Sequence, residues 1–172
     1  MDRNAPTSNL DASTADSLAT TSALIAYVNS LNSPLLRPIL TPRFAISCTS
    51  DLLEGLGNLA AKKATSMLAS PAPGVSHDLP IQTHISENAS EILLTASLFP
   101  SHSSYASIYH DHGLLGPSTI LAHGCHLSSE EIALIKQAGA GISHCPTSNF
   151  NLSSGVAKVG EWIDAGVKVF FA

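Results

Sequence analysis

The sequence predicts an α/β protein built on a parallel sheet. Short apolar segments alternate with segments of helical periodicity through most of the 172 residues, which is typical of parallel strands joined by helical crossovers. Hydrophobic residues make up 44% of the chain and charged residues only 12%, about half of the usual charged share. Many segments are therefore expected to be buried on both faces, and residues 1–172 are interpreted as one domain.

The first part of the chain predicts two helices and one strand. After polar residues 1–12, apolar side chains recur with helical spacing from Ser13 to Leu31. Residues 41–44 follow two prolines and predict a strand that runs into a loop. Leucines from Leu52 to Leu59 predict a second helix. Residues 65–78 are rich in Ser, Pro, Gly and Ala, and they predict an exposed connection.

The rest of the chain predicts four further strands separated by helices. We expect these strands at residues 79–85, 118–122, 140–144 and 167–172. A polar residue followed three positions later by Glu marks helix starts at Asn88 and Ser128. Another helical patch runs from Tyr105 to Tyr109, and a helix over 156–165 precedes the last strand. The whole sequence thus predicts about five strands.

Charge and cysteine content exclude several classes of partner. The formal net charge is −5, and no cluster of Lys or Arg is present, so neither a nucleic acid nor an anionic membrane surface is expected as a partner. We find no apolar secretory segment and no membrane span. The three cysteines, Cys48, Cys125 and Cys145, have no CxxC spacing. This favours a reducing compartment, and a cytoplasmic location is expected.

Polar residues stand where the predicted strands end. Arg43, His84, His123 and His144 occupy such positions. The carboxyl ends of parallel strands meet at one edge of a sheet, and in a (β/α)₈ barrel the chemistry is located at that edge. We therefore expect these four side chains on one rim.

His84 and Glu87 are the strongest candidates for metal-assisted chemistry. An imidazole at a strand end suits a zinc ligand, and a carboxylate within one turn can act as general acid and base. His84 could instead be a buried histidine bonded to backbone, and Glu87 an acid favoured by the helix dipole. His123 could be a second ligand or could orient the attacking water, and we favour the orienting role.

Arg43 and Phe44 are candidates for substrate binding. A guanidinium fork beside an aromatic face suits a flat heterocycle that carries a carbonyl group. The alternative is an arginine paired with a local acid and a phenylalanine in the core.

The remaining histidines and cysteines predict no further site. Cys125 and Cys145 match no structural zinc spacing and are interpreted as small core residues. Five histidines in predicted loops or at helix ends are interpreted as surface residues: His77, His102, His110, His112 and His126.

Four segments resemble the guanine deaminase family of the amidohydrolase superfamily. They are Thr41–Phe44, Thr83–Asn88, Leu121–Gly124 and His144–Asn149. The opening Met1–Pro6 also looks like the segment that follows the third barrel strand of that family. The resemblance covers nearly the whole chain except residues 65–78. It implies a partial (β/α)₈ barrel, about strands 4 to 8 with their helices.

The resemblance also implies a reaction, a cofactor and roles for the site residues. The expected reaction is zinc-dependent hydrolysis of guanine to xanthine and ammonia. His84 would be a zinc ligand, Glu87 the proton shuttle and His123 the water-orienting group. Arg43 and Phe44 would bind the purine, and the purine would also contact His84 and Glu87. Complete members of the family are expected to be homodimers.

Two parts of the family pattern are missing from this sequence. A His-x-His pair would precede the chain, and an aspartate ligand would follow the last strand. A complete zinc site contributes about 10 kcal/mol or more on binding, which one ligand cannot supply. The chain alone is thus expected neither to hold zinc nor to deaminate guanine. Two alternatives stay open: a non-catalytic binding or regulatory remnant, and an amidohydrolase for another purine or pyrimidine.

Overall fold

A computed structural model describes residues 1–66 and 79–172. At its centre is a parallel sheet with the strand order β1-β2-β3-β4. The strands are β1 (Ile81–Ile85), β2 (Thr119–His123), β3 (Gly141–His144) and β4 (Lys168–Phe171). Each strand lies beside the next one along the chain, as in a (β/α)₈ barrel. The predicted α/β class and partial barrel are confirmed, and these four strands are half of a closed barrel.

Seven α-helices accompany this sheet in the described part of the chain. They are α1 (Thr14–Ser30), α2 (Ser50–Ser66), α3 (Ala89–Leu98), α4 (Tyr105–Asp111), α5 (Ser129–Ala138), α6 (Pro146–Asn151) and α7 (Val159–Ala165). Six of them correspond to predicted helices, whereas α6 was not predicted. No helix among the described residues combines the length and the apolar character that crossing a membrane requires.

Local sequence signals fix where several helices begin and end. Asn88 and Ser128 each form a complete capping box with the glutamate three positions later, so both predicted starts are correct. Gly139 and Gly166 end α5 and α7 with φ values of 74° and 81°. A side chain at these positions would strain the left-handed backbone.

The strand predicted at 41–44 is wrong. Leu40 forms a single parallel bridge with Ile81, and a 3₁₀ turn follows at Ala45–Ser47. Pro42 has no N–H group and cannot extend a ladder. The segment nevertheless runs along β1, because the His84 N–H donates to the Arg43 carbonyl at 3.1 Å.

The hydrophobic core lies between the sheet and the helices. Ile85, Leu121 and Ile142 point toward the helices and are fully buried, whereas Ile120 and Phe170 on the opposite face are partly exposed. This alternation follows from the two-residue period of a strand. The predicted connection at 65–78 lies outside the described residues apart from the last turn of α2, and His77 lies outside them entirely.

Candidate functional site

The rings of His84 and His123 stack at the carboxyl edge of the sheet. Their centroids are 5.1 Å apart, with an interplanar angle of 20°. The register pairs His123 with Ile85, so strand alternation alone would turn His123 toward the helices. His123 has a φ of 77°, and this left-handed backbone takes it out of the alternation. Such a conformation costs about 1 kcal/mol or more and is concentrated at functional sites.

A hydrogen bond to backbone defines which nitrogen of His84 is available. The Nδ1 atom lies 2.6 Å from the Arg43 carbonyl oxygen. A carbonyl oxygen can only accept, so Nδ1 carries the proton and Nε2 carries a lone pair. Metal-binding imidazoles are oriented by this kind of bond. The backbone hydrogen bond that we considered as an alternative to a ligand role for His84 is therefore present. This bond is compatible with a ligand role.

Glu87 faces the second imidazole of the pair. Its Oε2 atom lies 3.7 Å from His123 Nε2, which is too long for a direct hydrogen bond. Its Oε1 atom accepts a hydrogen bond from the Ser154 hydroxyl at 3.0 Å. A backbone bond to Glu91 Oε2 fixes the chain at Glu87, with an N···O distance of 2.8 Å. These bonds orient the carboxylate, so that Oε2 is directed toward His123.

Helix α6 contributes a contact that the sequence analysis did not assign. Asn149 Oδ1 lies 2.8 Å from His123 Nδ1, and only 2% of Asn149 is exposed. Pro146 at the first helical position was the available signal, because proline is favoured there. Ser154, which contacts Glu87, had no comparable sequence signal.

Arg43 and Phe44 lie beside His84. The Arg43 side chain is exposed, and its guanidinium carbon lies 6.0 Å from the centre of the Phe44 ring. The Phe44 ring is 6.2 Å from that of His84. An open cavity of about 270 Å³ adjoins this rim, and it is lined by residues that include His84, Gln82, Ala122 and Ser143. His84 is therefore next to a space that is open to a ligand, and Phe44 lies beside His84.

His144 is at a strand end, as expected, but it is not part of the stacked pair. Its ring makes edge contacts with Trp162 and Phe171, at centroid distances of 6.3 and 5.8 Å. The helix-facing position of the preceding Ile142 explains this direction, since alternation sends residue 144 the same way.

The predictions for the other histidines are partly wrong. His110 and His126 are exposed as predicted, but His102 and His112 are half-buried. Their rings stack at 5.4 Å, and His112 Nε2 lies 2.6 Å from the Ser50 hydroxyl. These contacts bring a loop and a helix end together, which the sequence pattern did not reveal.

The cysteines do not form a metal site with these groups. Cys125 is buried, and burial together with the nearby Glu87 charge raises the pKa of its thiol to about 11. Cys145 is half-buried. Cys125 is therefore a small core residue, as predicted.

A zinc ion would find one suitable ligand here, but not a complete site. Within residues 1–66 and 79–172, no group of three or more His, Cys, Asp or Glu side chains is placed to hold a metal ion. His84 fits a ligand position because its Nε2 lone pair is available. Catalytic zinc usually has three protein ligands, so the described residues do not hold the metal by themselves.

Proteins similar to this chain are named guanine deaminases. A probable guanine deaminase of Schizosaccharomyces pombe is 47% identical over 171 residues, which cover 98% of this chain and 30% of the relative. The guanine deaminase of Mus musculus is 40% identical over 98% of this chain and 34% of its own length. The chain thus spans about a third of these curated relatives.

A solved structure of a guanine deaminase has the same arrangement of elements. The crystal structure of the C. acetobutylicum enzyme, which has guanine bound in its active site, superposes with a TM-score of 0.88 at 38% identity. The match covers 100% of this chain and 38% of that one. The model of the Amidohydrolase family matches residues 1–172, and the chain belongs to that family.

Proposed function

We propose that this chain supplies one side of the active site of a guanine deaminase, which hydrolyses guanine to xanthine and ammonia. The observation that carries the proposal is the stacked pair of His84 and His123, facing Glu87, with Arg43 and Phe44 on the same rim. The names of the relatives support guanine as the substrate. The proposal concerns the assembled site, because the chain spans about a third of those relatives.

Glu87 handles the proton in this proposal. Hydrolysis needs a proton to leave the attacking water and a proton to reach a ring nitrogen of the purine. The Glu87 Oε2 atom is available for both transfers, since its partner oxygen Oε1 is occupied by Ser154. His123 Nε2, 3.7 Å from Oε2, orients a water that lies beside both groups.

Arg43 and Phe44 bind the purine. The guanidinium group can donate two parallel hydrogen bonds to the carbonyl oxygen O6 and the ring nitrogen N7 of guanine, which are both acceptors. The half-buried Phe44 ring offers a flat apolar contact. His84 and Glu87 complete the contacts on the side of the reacting carbon.

Zinc is the proposed cofactor of the assembled site, with His84 Nε2 as one ligand. A bound zinc ion makes water acidic enough to attack near neutral pH. Zinc is present in the structure of an adenosine deaminase from Xanthomonas campestris, a protein of similar fold that is 21% identical to this chain. That likeness concerns the fold alone. What supports His84 as a zinc ligand is the orientation of its ring.

We propose that the 172 residues alone neither retain zinc nor deaminate guanine, because no group of three or more metal-binding side chains occurs among the described residues. Metal analysis and an ammonia assay on the purified chain test this. Less than one zinc ion per ten chains and no ammonia above the background are expected. Stoichiometric zinc with turnover would contradict it.

A hybrid enzyme tests the proposed substrate. In it, this chain replaces the matching 171 residues of the Schizosaccharomyces pombe relative. We expect ammonia release from guanine and little release from adenine nucleosides. The second comparison matters because a 5-methylthioadenosine/S-adenosylhomocysteine deaminase of Pyrococcus furiosus is 31% identical over 143 residues. A folded hybrid that binds zinc but prefers the adenine compound would contradict guanine as the substrate.

Location and assembly complete the proposal. The free thiols of Cys48, Cys125 and Cys145 are compatible with a reducing compartment, and we place the enzyme in the cytoplasm. The assembled enzyme is proposed to be a homodimer, which sedimentation of the hybrid would show as twice the monomer mass.

A further inference from the structure

One short segment contacts both groups to which we assign proton handling. The α6 segment, defined as residues 146–154, contains Asn149 and Ser154. Asn149 contacts His123 through its side-chain oxygen, and Ser154 donates to Glu87. The Ser154 N–H also donates to the Asn149 carbonyl at 2.9 Å. The positions of the imidazole and the carboxylate are therefore coupled through this segment.

The contact with Asn149 determines where the His123 ring carries its proton. The Asn149 Oδ1 atom lies 2.8 Å from His123 Nδ1. An amide oxygen has no hydrogen to give, so Nδ1 must donate. In the neutral ring, Nε2 then carries a lone pair and faces Glu87.

The distance between His123 and Glu87 agrees with this tautomer. An N–H group on Nε2 that faced a carboxylate would form a charge-assisted bond of about 2.7–2.9 Å. The observed distance from Nε2 to Glu87 Oε2 is 3.7 Å. Two acceptors face each other at this distance, and a water that lies to one side of them could donate to both.

The burial of Asn149 argues against a role in packing alone. Only 2% of the residue is exposed, and its Nδ2 atom has no hydrogen-bond partner among the described residues. A buried amide with an unpartnered nitrogen is unfavourable, and packing alone does not explain it. A leucine would fill the same space without an unpartnered donor.

We propose that Asn149 is a positioning residue that keeps His123 in the Nδ1-protonated tautomer. His123 Nε2 is then an acceptor for the attacking water, while Ser154 orients the Glu87 carboxylate that takes the proton. The use of this arrangement in catalysis depends on the proposed function. The assignment of the tautomer does not.

Nitrogen NMR of the ¹⁵N-histidine-labelled chain tests the tautomer. The measurement is made at about pH 9, well above the usual histidine pKa of about 6.5. We expect His123 to carry its proton on Nδ1. Exchange between tautomers, or a proton on Nε2, would overturn the proposal in the unmodified chain, whatever its variants do.

Variants at position 149 separate positioning from packing. In Asn149→Asp the acceptor is retained, so Nδ1 should stay protonated. In Asn149→Leu the acceptor is lost, and the Nδ1 preference should be lost with it. Asn151→Leu, at an exposed position of the same helix, is the control and should leave the His123 signals unchanged. An Nδ1 proton that persists in a folded Asn149→Leu chain would contradict the proposal.

The hybrid enzyme supplies a kinetic test that is independent of the spectra. Asn149→Leu should lower kcat for guanine about 10- to 100-fold with a smaller change in KM, and Asn149→Asp should restore most of the loss. An inactive hybrid with the expected tautomer would refute the proposed function and leave the tautomer assignment intact. Equal kcat in the Leu variant and the parent would refute the positioning role.

Discussion

Single hydrogen bonds decide what each imidazole of this site can do. The His84 Nδ1–H group donates a hydrogen bond to the Arg43 carbonyl, and the Asn149 oxygen accepts one from His123 Nδ1. Both Nε2 atoms are therefore acceptors. The sequence could predict that these histidines stand at strand ends, because apolar runs stop there. It could not predict their partners, since Arg43 is 41 residues from His84 and Asn149 is 26 residues from His123 along the chain.

Replacing Arg43 with alanine should weaken guanine binding in the hybrid enzyme more than it disturbs the metal. We expect KM to rise about 10- to 100-fold, because hydrogen bonds from a charged donor contribute about 1.5–3 kcal/mol. Zinc content should stay unchanged. Steady-state kinetics and metal analysis check this. Arg37→Ala, which removes another exposed arginine, is the control. Equal loss of guanine binding and of zinc in Arg43→Ala would count against the role of Arg43.

We expect Asp2 to make a pH-dependent contribution to the free energy of unfolding. Its carboxylate accepts from the Thr49 N–H at 2.8 Å and from the Thr14 hydroxyl at 2.6 Å. Partial burial raises the pKa of Asp2. The hydrogen bonds from Thr14 and Thr49 together lower it by more, so the pKa lies below its ordinary value. The carboxylate therefore stabilises the fold at neutral pH. This stabilisation is lost as the pH falls through the pKa of the folded state.

Urea unfolding of Asp2→Asn measures this contribution. At pH 7 the variant should be less stable by about 1 kcal/mol. The difference should shrink below about pH 4, where the carboxyl of the unfolded chain becomes protonated. Asp164→Asn, at an exposed position on α7, should show neither effect. A difference that is constant from pH 7 to pH 3 would contradict the explanation.

At the scale of elements, boundaries with a local chemical signal were predictable and the others were not. The capping boxes at Asn88 and Ser128 gave correct helix starts, because the bonds lie within four residues. Helix α6 has only six residues and no side-chain cap, so Pro146 was its one local signal and no periodic pattern supported it. The segment at 41–44 has the composition of a strand, yet Pro42 limits its pairing to one bridge.

The cap of α5 provides a test at this scale. The Ser128 hydroxyl accepts from the Glu131 N–H at 3.2 Å, and Glu131 Oε1 accepts from the Ala106 N–H of α4 at 3.1 Å. Ser128→Ala should lower the free energy of unfolding by about 1 kcal/mol. Thermal or urea unfolding measures it, with Ser129→Ala as the control at the exposed next position. Equal stabilities of the two variants would show that the cap contributes nothing.

For the whole molecule, the sheet has one covered and one open face. The helices cover Leu121 and Ile142, while Ile120 and Phe170 stay partly exposed on the other side. The stacked histidines lie at the carboxyl edge of the sheet, and His84 lines the cavity of about 270 Å³ on the open face. The described residues thus present one side of a site, in which both imidazoles are oriented through Nδ1 and His84 is the proposed metal ligand. Periodicity predicted the parallel sheet, but the placement of the site depends on contacts between distant segments.

The kcat/KM for guanine of the hybrid enzyme and of its Glu87→Gln variant is the most direct test of this account. Glutamine keeps the shape and can still accept from Ser154, but it cannot carry the proton. We expect kcat/KM to fall about 10²- to 10⁴-fold without loss of zinc, whereas Glu54→Gln at an exposed position of α2 should leave it unchanged. A Glu87→Gln hybrid that deaminates guanine at the rate of its parent would contradict the central claim.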